Sequence, residues 1–172
     1  MKNNYQYGLI IGRFQPPCLH HFQFINEAIS SGIRKLLIGV GQASHFDDRN
    51  FLTGKEVQSL LIPNLNKLNF PYKIVIIPDI NSPPNYVNHV KKYFPEIDEN
   101  NTCLFTENSY TSDCFVNYGH TFKVVVPTIL DNRATNVRQL ILNGDQKWQK
   151  LVPENILEYL VKNQKNLKDY LL

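Results

Sequence analysis

The segment GLIIGRFQPPCLHHFQFINEAI, residues 8–29, decides the fold of this chain. It opens with an apolar run of the kind that forms a strand buried on both faces. Gly12 and the Pro-Pro pair at 16–17 then interrupt the run. Beyond them, apolar residues recur at the spacing of one helix face, at Phe22, Ile25, Ala28 and Ile29. A buried strand followed by a short loop and an amphipathic helix is the repeating unit of a parallel α/β sheet.

The same alternation continues along the rest of the chain. Apolar runs recur at 35–40, 72–78, 102–105 and 122–127, and segments with helical spacing follow the first three of the five runs. The pattern predicts a three-layer, Rossmann-like α/β fold with a parallel sheet of about five strands and right-handed crossovers. A helical C-terminal extension is predicted from Pro153, in the first turn of its helix, toward Leu171.

Length and composition limit the class of protein. The 172 residues predict a single domain, 1–172, and 42% hydrophobic with 19% charged residues is typical of a globular protein. No apolar run approaches the roughly 20 residues of a membrane span, and the N-terminus has no apolar signal region, so we expect a cytoplasmic protein without a membrane partner. The net charge of +3 is scattered, which favours a small anionic ligand over nucleic acid.

The cysteines and neighbouring histidines allow several interpretations. Cys18, Cys103 and Cys114 contain no CxxC pair, which argues against a disulfide framework and a four-thiolate zinc site. Cys18, His20 and His21 could ligate a metal, but a fourth ligand is not evident, and we predict no metal site. Cys18 with a histidine could also form a nucleophile and its base, although a structural loop thiol is the better interpretation.

Ligands of open α/β sheets bind at the carboxyl ends of the strands. The loops at 12–21, 41–54, 79–86, 106–111 and 128–138 are therefore the expected site. Gly12, Arg13 and a helix start form an outline of an anion site, although a tight turn with a surface arginine would look the same. The dinucleotide motif GxGxxG and the Walker motif GxxxxGK[ST] are both missing.

The motif GRFQPPCLHH resembles the GRFQPFHxGH segment of archaeal-type nicotinamide-nucleotide adenylyltransferases, in the HxGH nucleotidylyltransferase superfamily. The resemblance continues through GVGQASH and through IPDINSPPNYVNHV, which matches a DIxxNxxWVxH pattern. It ends in ATNVRQLILNGDQKWQKLVPENI, where the family has GTxIRRxM and then WxxL[VL]PE. Nearly the whole chain is covered, in order.

The resemblance implies an adenylyltransferase that joins ATP to nicotinamide mononucleotide and releases NAD and pyrophosphate, with Mg²⁺ carried on the ATP phosphates. The implied catalytic residues are Arg13, His21 and Arg138. The residues implied to bind ATP are Gly12, Phe14, Gln15, His20, Thr135 and Asn136. Those implied to bind the mononucleotide are Asp79, Tyr86 and Asn108. His45 and His89 also fall on family positions, and assembly of the relatives, with an apolar tail at 148–163, implies a homo-oligomer.

Several positions depart from the family pattern. Cys18 stands where the family has its first His, His20 where it has Gly, and Val57 where it has Arg. Pro83 and Tyr86 replace Asn and Trp of the acceptor loop. Two alternatives therefore remain: a nucleotide-binding protein that has lost catalysis, and a nucleotidylyltransferase with another phosphate-monoester acceptor. His20 either replaces the missing imidazole at the phosphates or blocks the site.

Overall fold

The computed structural model describes residues 5–43, 45–128 and 133–163. The described strands are β1 Tyr7–Gly12, β2 Lys35–Gln42, β3 Tyr72–Pro78, β4 Thr102–Phe105 and β5 Lys123–Val125. The described α-helices are α1 Leu19–Ser30, α2 Gly54–Lys67, α3 Tyr86–Tyr93, α4 Ser109–Val116, α5 Ala134–Leu142 and α6 Glu154–Lys162, with 3₁₀ helices at Pro83–Asn85 and Gln146–Leu151. Within these ranges, no helix has the length and apolar character needed to cross a bilayer.

The five strands form one parallel sheet in the order β3-β2-β1-β4-β5. The chain starts in the middle at β1, moves outward through β2 to β3, and returns to the other side of β1 for β4. The direction of strand order therefore reverses between β1 and β4. In an open α/β sheet this switch point opens the crevice where ligands bind. The predicted α/β fold is confirmed.

Helices cover both faces of the sheet. Because neighbouring residues of a strand point to opposite sides, each strand contributes side chains to both cores. Leu9 of β1 packs in the core under α3 and α4, whereas Ile10 packs in the larger core under α1, α2, α5 and α6. The continuous apolar runs of the sequence are explained by this two-sided burial. The three predicted layers are therefore present.

The C-terminal helices pack against α2. Trp148, Ile156 and Leu160 are buried in the larger core, and the Tyr159 hydroxyl donates a hydrogen bond to the Glu56 carboxylate. Apolar residues that the sequence offered for an oligomer interface are thus used inside the chain. Pro153 is the residue that precedes α6 rather than a residue of its first turn. The predicted continuation of the helical pattern toward Leu171 lies outside the described residues.

Candidate functional site

A cleft of about 760 Å³ opens at the carboxyl ends of the first four strands. Its walls come from the loops after β1, β2, β3 and β4 and from the beginning of α5. Five segments that are far apart in sequence therefore meet at the switch point of the sheet. Gly41 lines the cleft where a Cβ would lie 3.6 Å from the Asp79 carboxylate and 3.7 Å from the Arg13 side chain. The backbone of β2 approaches both charged groups closely there.

Arg13 is held from two sides at the mouth of the cleft. Its Nη1 donates to Asn50 Oδ1 at 2.6 Å, and its Nη2 donates to Asp79 Oδ2 at 2.7 Å. Asn50 is only 4% exposed, and its amide donates to Asp47 Oδ1 at 2.7 Å. A guanidinium has more N–H donors than these two contacts use. Arg13 is thus fixed in orientation with donors left for an anion.

The loop after β2 is ordered around the Asp47 carboxylate. Partial burial works to raise the pKa of Asp47, but hydrogen bonds from the Arg49 backbone N–H and from Asn50 outweigh it, and the pKa lies below its ordinary value. An ionised Asp47 accepts both bonds. The carboxylate therefore fixes Asn50, which in turn fixes Arg13.

His21 is a neutral hydrogen-bond donor. The backbone N–H of Cys18 donates to its Nδ1 at 3.0 Å, so the ring proton of the neutral imidazole lies on Nε2. Burial lowers the pKa of His21 to about 3, and the charges of His20 and Arg138 add to this effect. His21 lines the cleft, and its Nε2–H lies on the side of the ring opposite Cys18.

The Cys18 thiol has a structural role. It is fully buried before α1, with Sγ 3.2 Å from His21 Nδ1. Burial raises the pKa of Cys18 to about 11, so the group is a thiol and not a thiolate near neutral pH. A nucleophilic cysteine needs the thiolate. In the described part of the chain, no group of three or more His, Cys, Asp or Glu side chains could hold a metal ion.

Two further arginines lie on the cleft wall. Arg138 donates through Nη1 to the Gln15 carbonyl at 2.6 Å and through Nη2 to Thr135 Oγ1 at 3.2 Å. Burial lowers the pKa of Arg138; Asp48 opposes this shift and the like charge of Arg49 adds to it. An anion between Arg49 and Arg138 would relieve their repulsion.

Arg49 is a cleft residue that sequence reasoning missed. The available signal was its place in the 41–54 loop, at the carboxyl end of β2. The family pattern places its arginine at position 57 instead, where this chain has Val. Val57 is fully buried in the larger core and does not line the cleft.

Gln15 and Phe14 shape the first loop from inside. The Gln15 amide is 5% exposed and makes two bonds with Leu52, donating to its carbonyl at 2.7 Å and accepting from its N–H at 2.9 Å. Phe14 has a positive φ of 51° and lies with its ring centroid 4.9 Å from that of His21. A Cβ on Gly12 would lie 3.2 Å from the Phe14 ring. Although these residues line the cleft, both the oxygen and the nitrogen of the Gln15 amide are already hydrogen-bonded to Leu52.

The opposite end of the cleft is aromatic and polar. Tyr86 is half-buried, 6.0 Å from the ring of Tyr110, and burial together with the Asp79 carboxylate raises its pKa to about 12. Asn108 lines this end but uses its side-chain oxygen to accept the Thr111 N–H at 3.0 Å, which caps α4. Asp79 and Tyr86 line this end of the cleft and keep part of their side chains exposed to it.

A second, smaller cavity of about 210 Å³ adjoins the cleft and shares Gly12, Phe14, His21 and Ala134 with its lining. His20 lines this cavity and not the larger cleft, with Nε2 3.0 Å from Glu107 Oε1. Arg133 Nη2 lies 3.3 Å from the other oxygen of Glu107. Thr135 also lines the second cavity, whereas Asn136 is exposed and lines neither. His20 is thus turned toward Glu107.

The other two histidines at family positions lie outside both cavities. His45 is exposed, with Nε2 3.2 Å from Asp47 Oδ2. His89 donates from Nε2 to the Pro78 carbonyl at 2.8 Å, which ties α3 to the end of β3. We therefore assign His89 a structural contact.

Comparison with known proteins gives a consistent result. The nicotinamide-nucleotide adenylyltransferase of Pyrococcus horikoshii is 32% identical over 160 residues, which cover 89% of this chain and 81% of the relative. The enzyme of the same name from Methanococcus aeolicus is 29% identical over 175 residues, which cover 95% of this chain and 96% of the relative. No protein-family model matches the chain.

Among solved structures, a bifunctional NMN adenylyltransferase/ADP ribose pyrophosphatase from Francisella tularensis, complexed with AMP and a manganese ion, superposes with a TM-score of 0.70 at 19% identity. The match covers 97% of this chain and 52% of that protein, so the chain spans about half of the bifunctional protein. At this level of identity the likeness shows a common fold.

Proposed function

The chain belongs to the family of archaeal nicotinamide-nucleotide adenylyltransferases, and we propose that it joins ATP to nicotinamide mononucleotide to form NAD and pyrophosphate. One observation supports this proposal above the others. Arg13, Arg49 and Arg138 meet the neutral donor His21 in one cleft, with a second cavity adjoining it. A cationic centre between two spaces suits the joining of two nucleotides through their phosphates.

The ATP phosphates bind between the first loop and the start of α5. Arg13 and Arg138 donate from opposite sides, and Arg49 adds charge from the loop after β2. Guanidinium groups bind phosphate oxygens with parallel N–H bonds. The N-terminus of α5, where Ala134 lines both spaces, favours an anion as well. The adenosine part of ATP then lies in the second cavity.

Nicotinamide mononucleotide binds at the opposite end. Tyr86 offers an aromatic face for the nicotinamide ring, and the Asp79 carboxylate accepts from its amide. One oxygen of Asp79 is already bonded to Arg13 at 2.7 Å, so the acceptor site and the phosphate site share a residue pair. Binding of the mononucleotide at Asp79 therefore helps to orient Arg13, which binds the ATP phosphates.

The reaction needs no nucleophile from the protein. An oxygen of the mononucleotide phosphate attacks the α-phosphorus of ATP, and the bond to the β-phosphate oxygen breaks as pyrophosphate leaves. Positioning and charge stabilisation carry most of such catalysis. Arg13 and the Nε2–H of His21 donate to the oxygens on which charge develops, and Arg138 with Arg49 stabilises the departing pyrophosphate.

Mg²⁺ enters as part of the ATP substrate. Mg²⁺ keeps several waters and binds through substrate phosphates with few carboxylates. The arginines of the cleft fit an anionic, metal-bearing triphosphate better than a bare cation. Bound to the phosphates, the metal would neutralise part of their charge. The manganese ion of the Francisella structure belongs to that protein and agrees with a divalent metal.

The test is direct. Purified protein with ATP, Mg²⁺ and nicotinamide mononucleotide should form NAD and pyrophosphate in equal amounts, and nicotinic acid mononucleotide with other phosphate monoesters forms the comparison panel. Arg49→Ala should reduce kcat/KM by more than tenfold, the lower range for one charge-assisted contact, whereas the exposed Arg34→Ala should not. ATP binding without any product would favour the nucleotide-binding alternative. The homo-oligomer and the cytoplasmic location remain predictions.

A further inference from the structure

The second cavity carries a pair of polar atoms that the phosphate chemistry does not use. Among the described residues, His20 Nδ1 and Glu107 Oε1 are buried without a hydrogen-bond partner. The His20 Nε2 atom lies 3.0 Å from Glu107 Oε1, close enough for an ion pair but not aligned as a hydrogen bond. Buried polar atoms without partners are costly, and each calls for a physical reason.

We infer that His20 and Glu107 read the amino edge of the adenine of ATP, and so make this chain select its nucleotide donor by hydrogen bonds. This inference rests on the proposed function, because it takes the second cavity as the adenosine site. In the family pattern the position of His20 is a glycine, which has no side chain to read a base. A base contact from residue 20 is therefore particular to this chain.

The size and lining of the cavity suit a base. At about 210 Å³ it lies below the roughly 300–1,000 Å³ of pockets that enclose a whole drug-sized ligand. Ile10, Phe14 and Phe24 supply apolar walls, and His20 with Glu107 supplies convergent polar groups. A flat ring system with a polar edge matches this arrangement.

The donor and acceptor pattern points to an amino group. A carboxylate only accepts, so the ligand atom at Glu107 Oε1 must be an N–H or O–H donor. Adenine places its amino donor beside a ring nitrogen acceptor, and an imidazole nitrogen such as His20 Nδ1 can donate to that acceptor. Hypoxanthine carries a carbonyl in place of the amino group, and its oxygen would face the carboxylate oxygen.

Arg133 keeps Glu107 in place for this role. Its Nη2 lies 3.3 Å from Glu107 Oε2, so one carboxylate oxygen is held while the other is buried beside His20, and both His20 and Glu107 line the cavity. Only 17% of the Glu107 side chain is exposed. Exclusion of water makes a mismatched base costly at such a site.

The experiment compares ATP, ITP and purine riboside triphosphate as donors, by calorimetric binding and by NAD formation. The wild type should prefer ATP over both analogues by about ten- to a hundredfold, the range for one hydrogen bond to a charged group. Glu107→Gln should reduce this preference at least tenfold, and should improve ITP itself because the amide can donate to the carbonyl. His20→Ala is a second test variant, which should also reduce the preference for ATP. Because alanine favours helix formation, the variant should keep α1 folded.

Matched controls come from a second His–Glu pair. His120 Nδ1 lies 3.2 Å from Glu99 Oε1 outside both cavities, and Glu99→Gln should leave the donor preference unchanged. Equal use of ATP and ITP by the wild type, or a preference that survives both Glu107→Gln and His20→Ala, would overturn the inference. Donor-selective binding without NAD would instead contradict the proposed function alone.

Discussion

Replacing Arg13 by alanine separates its role in the cleft from its role in the fold. The substitution removes the guanidinium that bonds Asn50 and Asp79 and that would donate to the ATP phosphates. Loss of one preorganised donor to the transition state typically lowers kcat by about 100- to 1,000-fold, or roughly 3–4 kcal/mol. We expect a loss in that range, with a smaller change in KM.

The stability cost should be smaller and has a specific origin. The ion pair with Asp79 joins side chains that are 48% and 38% exposed, and such pairs contribute at most about 1 kcal/mol. Asn50 Oδ1 is the costlier partner, because Asn50 is only 4% exposed and a buried acceptor left unpaired costs about 1–3 kcal/mol. The free energy of unfolding should therefore fall by about 1–3 kcal/mol.

The assay is steady-state NAD formation at varied ATP, combined with urea unfolding of each variant. Arg13→Lys keeps the charge but loses the planar fork, so it should recover only part of the rate. Arg34→Ala, an exposed arginine of another region, should change neither measurement. If Arg13→Ala keeps its rate within about threefold while remaining folded, this loop does not bind the reacting phosphates.

Three further predictions concern protonation and packing. The pKa of His21 is about 3 in the folded protein and about 6.5 in the unfolded chain. Between these pH values the unfolded state binds the proton and the folded state does not, so the free energy of unfolding, measured in urea, should fall as the pH drops through this window. The fall should be smaller in His21→Asn. Burial raises the pKa of Cys18 and Cys103 to about 11, so native protein near pH 7 should react with a thiol reagent far more slowly than protein in denaturant. Tyr159→Phe removes the bond that joins α6 to Glu56 on α2 and should lower the free energy of unfolding by about 1–3 kcal/mol, with activity retained.

The strands and their order along the chain were predictable because a strand buried on both faces requires a continuous run of apolar residues. Runs such as 35–40 and 72–78 became β2 and β3 almost at the predicted bounds. The predicted run at 122–127 contracted to Lys123–Val125, since an edge strand pairs on one side only. Element ends depend on pairing partners, which local pattern does not specify.

The position of the site followed from the sequence in the same way. Parallel strands bring their carboxyl ends to one edge, so Arg13, Asp79 and Arg138 could be expected near one another before any contact was known. Their actual contacts join residues 37, 66 and 123 positions apart. Pattern alone does not identify such partners.

Sequence by itself therefore determined the α/β fold, the edge of the sheet that carries the site and the residue types that face it, because these depend on local periodicity and on the polarity of parallel strands. Tertiary structure alone decided the direction and protonation of the loop side chains. His20 turns to Glu107, and the Cys18 thiol stays protonated because the core surrounds it. Arg49 reaches the cleft, whereas the amide of Gln15 is used on Leu52. Each outcome depends on partners and burial that only the folded chain supplies.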